Sequence, residues 1–231
     1  MADQVAVDAR QDVTHGSASL EVAFHRPPDR NDELSTRDPG VRFLDLPARR
    51  FVMIDGEGAP GEEAFAPRMP GLYATAYTLR FALKRRGVIE KVGPLEGLWW
   101  TAAVGRDLDA ILGELREDWR WVLLIALPDA ATDDEIATAL HAGRSRLVTP
   151  HNASLRVEPF AEGRVAQAVH IGPYETERTT IEQMHAAIAS AGLVPTGRHH
   201  EIYLGDPRRT RPERIRTILR QPVEEADGSA G

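Results

Sequence analysis

The chain has 231 residues, with 28 Lys and Arg against 35 Asp and Glu, for a formal net charge of −7. That balance argues against a nucleic-acid-binding domain, which would show a basic face, and no run approaches the ~18 consecutive apolar residues of a membrane span. Cysteine is absent, which excludes disulfides, thiolate nucleophiles and Cys-based metal sites, while 42% hydrophobic content fits a globular chain that buries a core.

Residues 1–40 alternate charged and small side chains around Pro27-Pro28 and Asp38-Pro39-Gly40. No apolar period holds there, so the stretch reads as a mostly disordered tail with room for one short strand. Its first residues lack a basic start followed by an apolar core, so no secretory signal is read and the expected location is cytoplasmic.

Order begins at Val41. Phe43, Leu44, Leu46 and Phe51–Ile54 form a β-rich run broken at Pro47 and ended by Asp55-Gly56-Glu57-Gly58. A helix is expected from about 61 to 86, with Phe65, Leu72, Ala76, Leu79 and Leu83 as its buried stripe. Pro67 and Pro70 could delay its regular start by a turn, and Gly87 closes it after a basic last turn. Two strands follow, 95–103 and 119–127, and then a helix that starts on the capping-box pair Thr132 and Glu135.

The plan then repeats. Residues 153–171 read as a two-strand ribbon turning at Glu162-Gly163, and a helix from about 175 to 191 buries Ile181, Met184 and Ile188. Strands 199–204 and 215–219 close the domain, and 224–231 reads as a disordered tail. The shared order of strand, Gly turn, long helix, strand, strand makes an internal duplication, with units at about 41–150 and 151–223. Gly56 pairs with Gly172 in that scheme, and Glu96 with Glu201. The expected fold is α+β, an antiparallel sheet with helices on one face and a ligand cleft at the seam between units, on the sheet's other face.

The run from His170 to Val223 carries the most specific signal: His-x-Gly-Pro-Tyr before the helix, Gly-x-x-Pro-x-Gly after it, then His-Glu-Ile-Tyr-Leu-x-Asp-Pro. With its Arg-Pro-Glu-x-Ile-x-Thr-Ile-x-x-Pro-Val ending, this segment resembles the C-terminal half of GyrI-like small-molecule-binding proteins. Tyr73–Arg80 and Pro94–Trp100 look like the stand-alone branch of that family, of which some members hydrolyse cyclopropane-bearing, DNA-alkylating natural products. The resemblance spans roughly residues 41–223 and implies a duplicated fold with a ligand cleft at the seam, in a detoxification or resistance role. It leaves activity open, because relatives include plain binders and sensors.

Strand alternation separates His199, Glu201 and Tyr203 from His200, Ile202 and Leu204, and assigns the first set to the cleft and the second to the core under the helices. Strand interiors disfavour Glu, so Glu201 is the leading candidate for a functional carboxylate, and desolvation would make it a better base. Glu96 is a weaker candidate beside Gly97. Every Trp and Tyr lies in the repeat motifs, and Tyr77, Trp99, Trp100, Trp121, Tyr174 and Tyr203 are expected to line the cleft, with His170 at its edge. Tyr73 is the candidate donor to a carbonyl that gains charge.

No HExxH pair, phosphate loop, GxGxxG or Gly-x-Ser-x-Gly elbow occurs, so no metal site and no cofactor are expected. The basic cluster Arg208–Arg216 is interrupted by Glu213 and reads as a solvated loop. Two readings share the same residues: a hydrolase in which Glu201 activates water against a cyclopropanoid ring, and a non-catalytic binder or sensor of drug-like cations. The expected partner is a small aromatic molecule, with no nucleic acid and no membrane. A contact with DNA gyrase is suggested only by the family name.

Overall fold

The protein was analysed as a computed structural model that describes residues 22–38, 40–59, 61–101, 119–148 and 151–226. Its elements in chain order are α1 (Arg30–Glu33), β1 (Arg42–Leu46), β2 (Arg49–Glu57), α2 (Glu62–Phe65), α3 (Met69–Arg85), β3 (Leu95–Thr101) and β4 (Trp119–Ala126). There follow α4 (Asp133–Arg144), α5 (His151–Ser154), β5 (Arg156–Phe160), β6 (Gly163–Ile171), α6 (Glu177–Ser190), β7 (Leu193–Pro195), β8 (His199–Tyr203) and β9 (Arg216–Glu225).

The helix expected over 61–86 is split. Pro67 and Pro70 remove two backbone donors, so a single turn at α2 precedes the regular helix α3. The capping box of α4 is formed in both directions, with Thr132 Oγ1 accepting from the Glu135 amide and Glu135 Oε2 accepting from the Thr132 amide. Strand β9 runs on to Glu225, well beyond the expected end at 219, because Val223–Glu225 pair with β7, a short strand that the sequence pattern hid behind Pro195.

All ladders are antiparallel, in the order β1-β6-β9-β8-β3-β4-β2-β5. The halves β6-β9-β8 and β3-β4-β2 mirror one another about the β8–β3 ladder, as a duplicated strand–helix–strand–strand unit requires. The ends of this order are not free. Leu46↔Gly163 and Arg49↔Phe160 belong to one continuous register, so β1 runs into β2 and β5 into β6 across short bends, and the sheet curls into a ring.

Both helical layers cover the outer face of that ring, giving the α+β plan with helices on one face. Val52, Ile54, Trp121, Leu123 and Ile125 pack under α3 and α4, and Ala166, Ala168 and Leu219 pack under α6. The inner face holds Phe51, Met53, Leu98, Val122 and Leu124 beside Leu44, Leu46 and Val165. Gly56 is required where α3's sheet layer is tightest: a Cβ there would lie 2.1 Å from the Trp121 ring.

Three sequence expectations are corrected here. Ile202, expected under the helices, opposes Glu96 and Ile218 on the inner face. Glu96 and Glu201 are not equivalent, because Glu96 pairs with Ile202 and Gly97 with Glu201, which puts the two carboxylates on opposite faces. Residues 22–38, read as part of a tail, are built into the fold: His25 bridges Leu44, and Arg30 and Glu33 of α1 enter the inner face. Ion pairs, which leave no apolar period in a sequence, hold that segment in place. Residues 1–21 and 227–231 of the expected tails lie outside the described residues.

Candidate functional site

On the inner face, burial has collected charge. Glu162, carried on the bend between β5 and β6, meets His200 Nδ1 at 2.8 Å and Arg220 Nη1 at 3.1 Å. His200 Nε2 lies 3.1 Å from Glu96 Oε2, and Arg30 pairs with the other oxygen of Glu96. Arg220 also donates to Gln167 Oε1 at 2.7 Å and to Glu33 Oε1 at 2.9 Å. Burial alone would push these carboxyls up, but His200 and Arg220 bring Glu162 down to about 2, and Arg30 and His200 hold Glu96 below its usual range. Burial likewise opposes a charged His200, and Glu162 with Glu96 outweighs it and raises that imidazole. Every charge here has a counter-charge, so this face is a closed structural network.

The cleft expected on that face lies on the other one. Between α3 and α6 no helix among the described residues covers the outer face of the central strands, and β8 presents His199, Glu201 and Tyr203 there, as the period of two requires. Opposite Glu201 is Gly97 of β3, whose missing side chain lets the Trp99 indole lie across the strand; a Cβ would come within 2.8 Å of Nε1. Tyr73 of α3 packs into the same apolar cluster as Trp99 and Tyr203. From the other side Tyr174, in the turn before α6, meets Tyr203 edge to face at 5.8 Å. The seam is thus an aromatic-lined cleft suited to a small molecule.

Its polar centre is unlike the inner face. The Tyr203 hydroxyl donates to Glu201 Oε2 at 2.7 Å, and His199 Nε2 stands 3.7 Å from Oε1. Burial, with His185 and His200 nearby, drops His199 to about 3, so it is neutral. Glu177, the first residue of α6, is only 6% exposed, and its Oε1 finds no hydrogen-bond partner among the described residues. Burial first, then the negative charge of Glu201, pushes Glu177 up to about 8. Glu177 is therefore held protonated at neutral pH. Burial and the same carboxyls lift Tyr174 to about 12, and burial and Glu201 lift Tyr203 well above its ordinary value. Tyr73 is raised by burial, Tyr77 and Asp206. All three phenols stay protonated and can donate.

The structure brings Glu201, Tyr203, Tyr174, Tyr73 and Trp99 to the seam, with Tyr77 one turn further along α3. It places three other sequence candidates elsewhere. Trp121 is fully buried among Phe65 and Trp99, its Nε1 donating to the Gly58 carbonyl at 3.2 Å. Trp100 is on the inner-face side, with the Arg198 guanidinium 3.9 Å above its ring. His170 sits within hydrogen-bond distance of Thr180 Oγ1 (2.9 Å) and the Pro173 carbonyl (3.2 Å), and so ties the Gly-Pro turn to α6. Glu177 was not found from sequence, because an acid in a first helical turn reads as a response to the helix dipole. Its signal was positional: it follows the Gly-Pro-Tyr motif by three residues.

A family model, the GyrI-like small molecule binding domain, matches residues 123–224. Among solved structures, an uncharacterized conserved protein from Listeria innocua is similar at 33% identity, over 83% of this chain and 96% of its own, with a TM-score of 0.69. Two structures of hydrolases from Listeria innocua are similar at 29% and 30% identity. They cover 84% and 83% of this chain and 96% and 95% of their own, with TM-scores of 0.67 and 0.66. No curated protein matches the chain. Among the described residues no helix is long and apolar enough to cross a membrane.

Proposed function

Because the chain belongs to the GyrI-like small-molecule-binding family, we propose that the seam hydrolyses a flat aromatic electrophile, of which an activated cyclopropane fused to a conjugated carbonyl is the best candidate. The observation that carries this reading is Glu201, held by the Tyr203 hydroxyl at 2.7 Å, beside a buried Glu177 that stays neutral and a set of protonated phenols. The hydrolases among its relatives support a reaction rather than storage.

In the proposed step Glu201 removes a proton from water as the water oxygen bonds to a cyclopropane carbon. The strained C–C bond breaks, and its electron pair moves into the conjugated ring, which ends as a phenolate. The Tyr73 hydroxyl hydrogen-bonds to that oxygen as charge builds, and the proton held by Glu201 returns to it through solvent. The net change is addition of H and OH across one C–C bond, with no redox partner. Tyr203 holds Glu201 in place, and protonated Glu177 keeps a second negative charge away from the departing electron pair.

Incubation with a synthetic spirocyclopropyl dienone, followed by mass spectrometry, should give the water adduct. Glu201→Gln should lower kcat at least about 100-fold while the ligand still binds. Normal turnover by that variant would remove Glu201 as the base. A second reading, capture of a cationic drug-like molecule, is favoured by the unpartnered oxygen of Glu177 within an aromatic surround. Tight binding of such a cation with no product from the dienone would select it.

A further inference from the structure

Strand β8 buries two adjacent histidines that the fold treats differently. His200, on the inner face, has a carboxylate at each nitrogen, Glu162 at 2.8 Å and Glu96 at 3.1 Å. His199, on the outer face, is 1% exposed, and neither of its nitrogens completes a hydrogen bond among the described residues. An imidazole buried in that state costs free energy that a purely structural role does not return. Its Nε2 stands 3.7 Å from Glu201 Oε1, while the Tyr203 hydroxyl donates to Oε2. Gln221 of β9 approaches the same ring without closing a bond, and its own Oε1 is buried with no hydrogen-bond partner among the described residues. On α6, Met184 packs with Leu219, the residue opposite Glu201. The next residue, His185, is partly exposed, yet its Nε2 is buried and lacks a partner among the described residues, and it is near enough to act on His199.

We propose that His199 and His185 form a proton exit that leads from Glu201 to the surface of α6. This rests on the reading of Glu201 as the base that activates water. A flat ligand in the seam covers the cleft side of that carboxyl, so the proton taken from water needs another way out. The imidazole nitrogens beside Glu201 are too deeply buried for a ligand to touch, but a proton can pass between them. The proton bound at Glu201 Oε1 moves to His199 Nε2 as the ring gives up the one on Nδ1. His185 takes that proton at Nε2 and releases its own from Nδ1 to water. One proton enters and one leaves each ring, so the step strands no charge among groups that burial holds neutral. His199 and His185 thus act through Glu201 and do not touch the reacting molecule.

The test follows turnover of the synthetic spirocyclopropyl dienone by the full chain in dilute buffer. His185→Ala should lower kcat about tenfold with KM within about twofold, and its rate should fall further in D2O than that of the wild type. Free imidazole, which can reach the vacated position at the surface, should restore the rate. His199→Gln should show the same loss without rescue, because its position is closed to a solute. If that buried variant does not fold, His185→Ala decides alone. A wild-type kcat in His185→Ala, or a loss that imidazole does not relieve, would overturn the exit and leave Glu201 as the base. No water adduct from the wild type would overturn the reaction reading and the exit with it.

Discussion

The two faces of one sheet bury ionisable groups to opposite effect. Inside the ring, the side chains of Glu96, Glu162, His200 and Arg220 are almost wholly inaccessible, and each has a counter-charge within hydrogen-bond reach. At the seam, Glu177 and His199 are similarly buried, but Glu201 opposes a charge on Glu177, and His185 and His200 oppose one on His199 more than Gln221 and Glu162 favour it, so burial prevails and both are neutral near pH 7. Burial therefore does not distinguish structure from site here. What does is whether the charge is already answered within the protein. The charges of the inner face are paired with one another, whereas the seam sets Glu177, held neutral and with one oxygen that finds no hydrogen-bond partner among the described residues, beside Glu201 and three protonated phenols.

The contrast breaks most sharply at Arg220. Arg220→Met should cost about 3–5 kcal/mol in urea unfolding, because Glu33 and Glu162 would be left as buried charges with weaker compensation. A loss under about 1 kcal/mol would show that the inner face can rearrange and is not a closed network. Glu177→Gln, by comparison, removes a carboxyl that is neutral in both the folded and the unfolded chain below its ordinary value of 4.5, and should leave stability at about pH 4 nearly unchanged.

The same variant sharpens the comparison when pH is raised. Glu177 has a folded value near 8 against an ordinary carboxyl value of 4.5, so its protonated form is favoured by the fold. Its contribution is complete below 4.5 and is lost as pH climbs to about 8, the reverse of Glu162, whose contribution disappears only as pH falls from 4.5 towards 2. Wild-type stability should therefore decline by roughly 4 kcal/mol relative to Glu177→Gln between about pH 5 and about pH 9. Parallel pH curves for the two proteins would mean that Glu177 is not held neutral.

How far a sequence reveals such a contrast depends on how each feature is encoded. The antiparallel α+β plan, the capping box at Thr132 and the shared face of Glu201 and Tyr203 follow from local periodicity, and the structure has them. Which face of β8 looks toward the helices does not, since His199-Glu201-Tyr203 and His200-Ile202 are equally plausible as a core set until the partner strands are known. Ring closure and the entry of Arg30 and Glu33 depend on contacts more than 60 residues apart, such as Arg30 with Glu96 and Glu33 with Arg220. Those leave only scattered charges, which look like a tail. Glu177 is hidden for a related reason: its partner Glu201 is brought to it by β8 and β9 pairing, not by spacing.

Trp100 gives the finest test, because sequence assigns it to the cleft and the fold assigns it to the other side of the sheet. Adjacent residues on a strand face opposite ways, so if Trp99 belongs to the seam then Trp100 cannot. Its ring is instead covered by Arg198, a cation–π contact of about 0.5–1 kcal/mol at a partly exposed position. Arg198→Ala should lower stability by that amount and leave the affinity for a seam ligand within about twofold. A larger change in affinity than in stability would mean that the two faces communicate, since Arg198 immediately precedes the strand that carries Glu201 and a shift in β8 would move both. Equal and small effects would instead show β8 acting as a rigid partition, with charge settled on one side and chemistry available on the other.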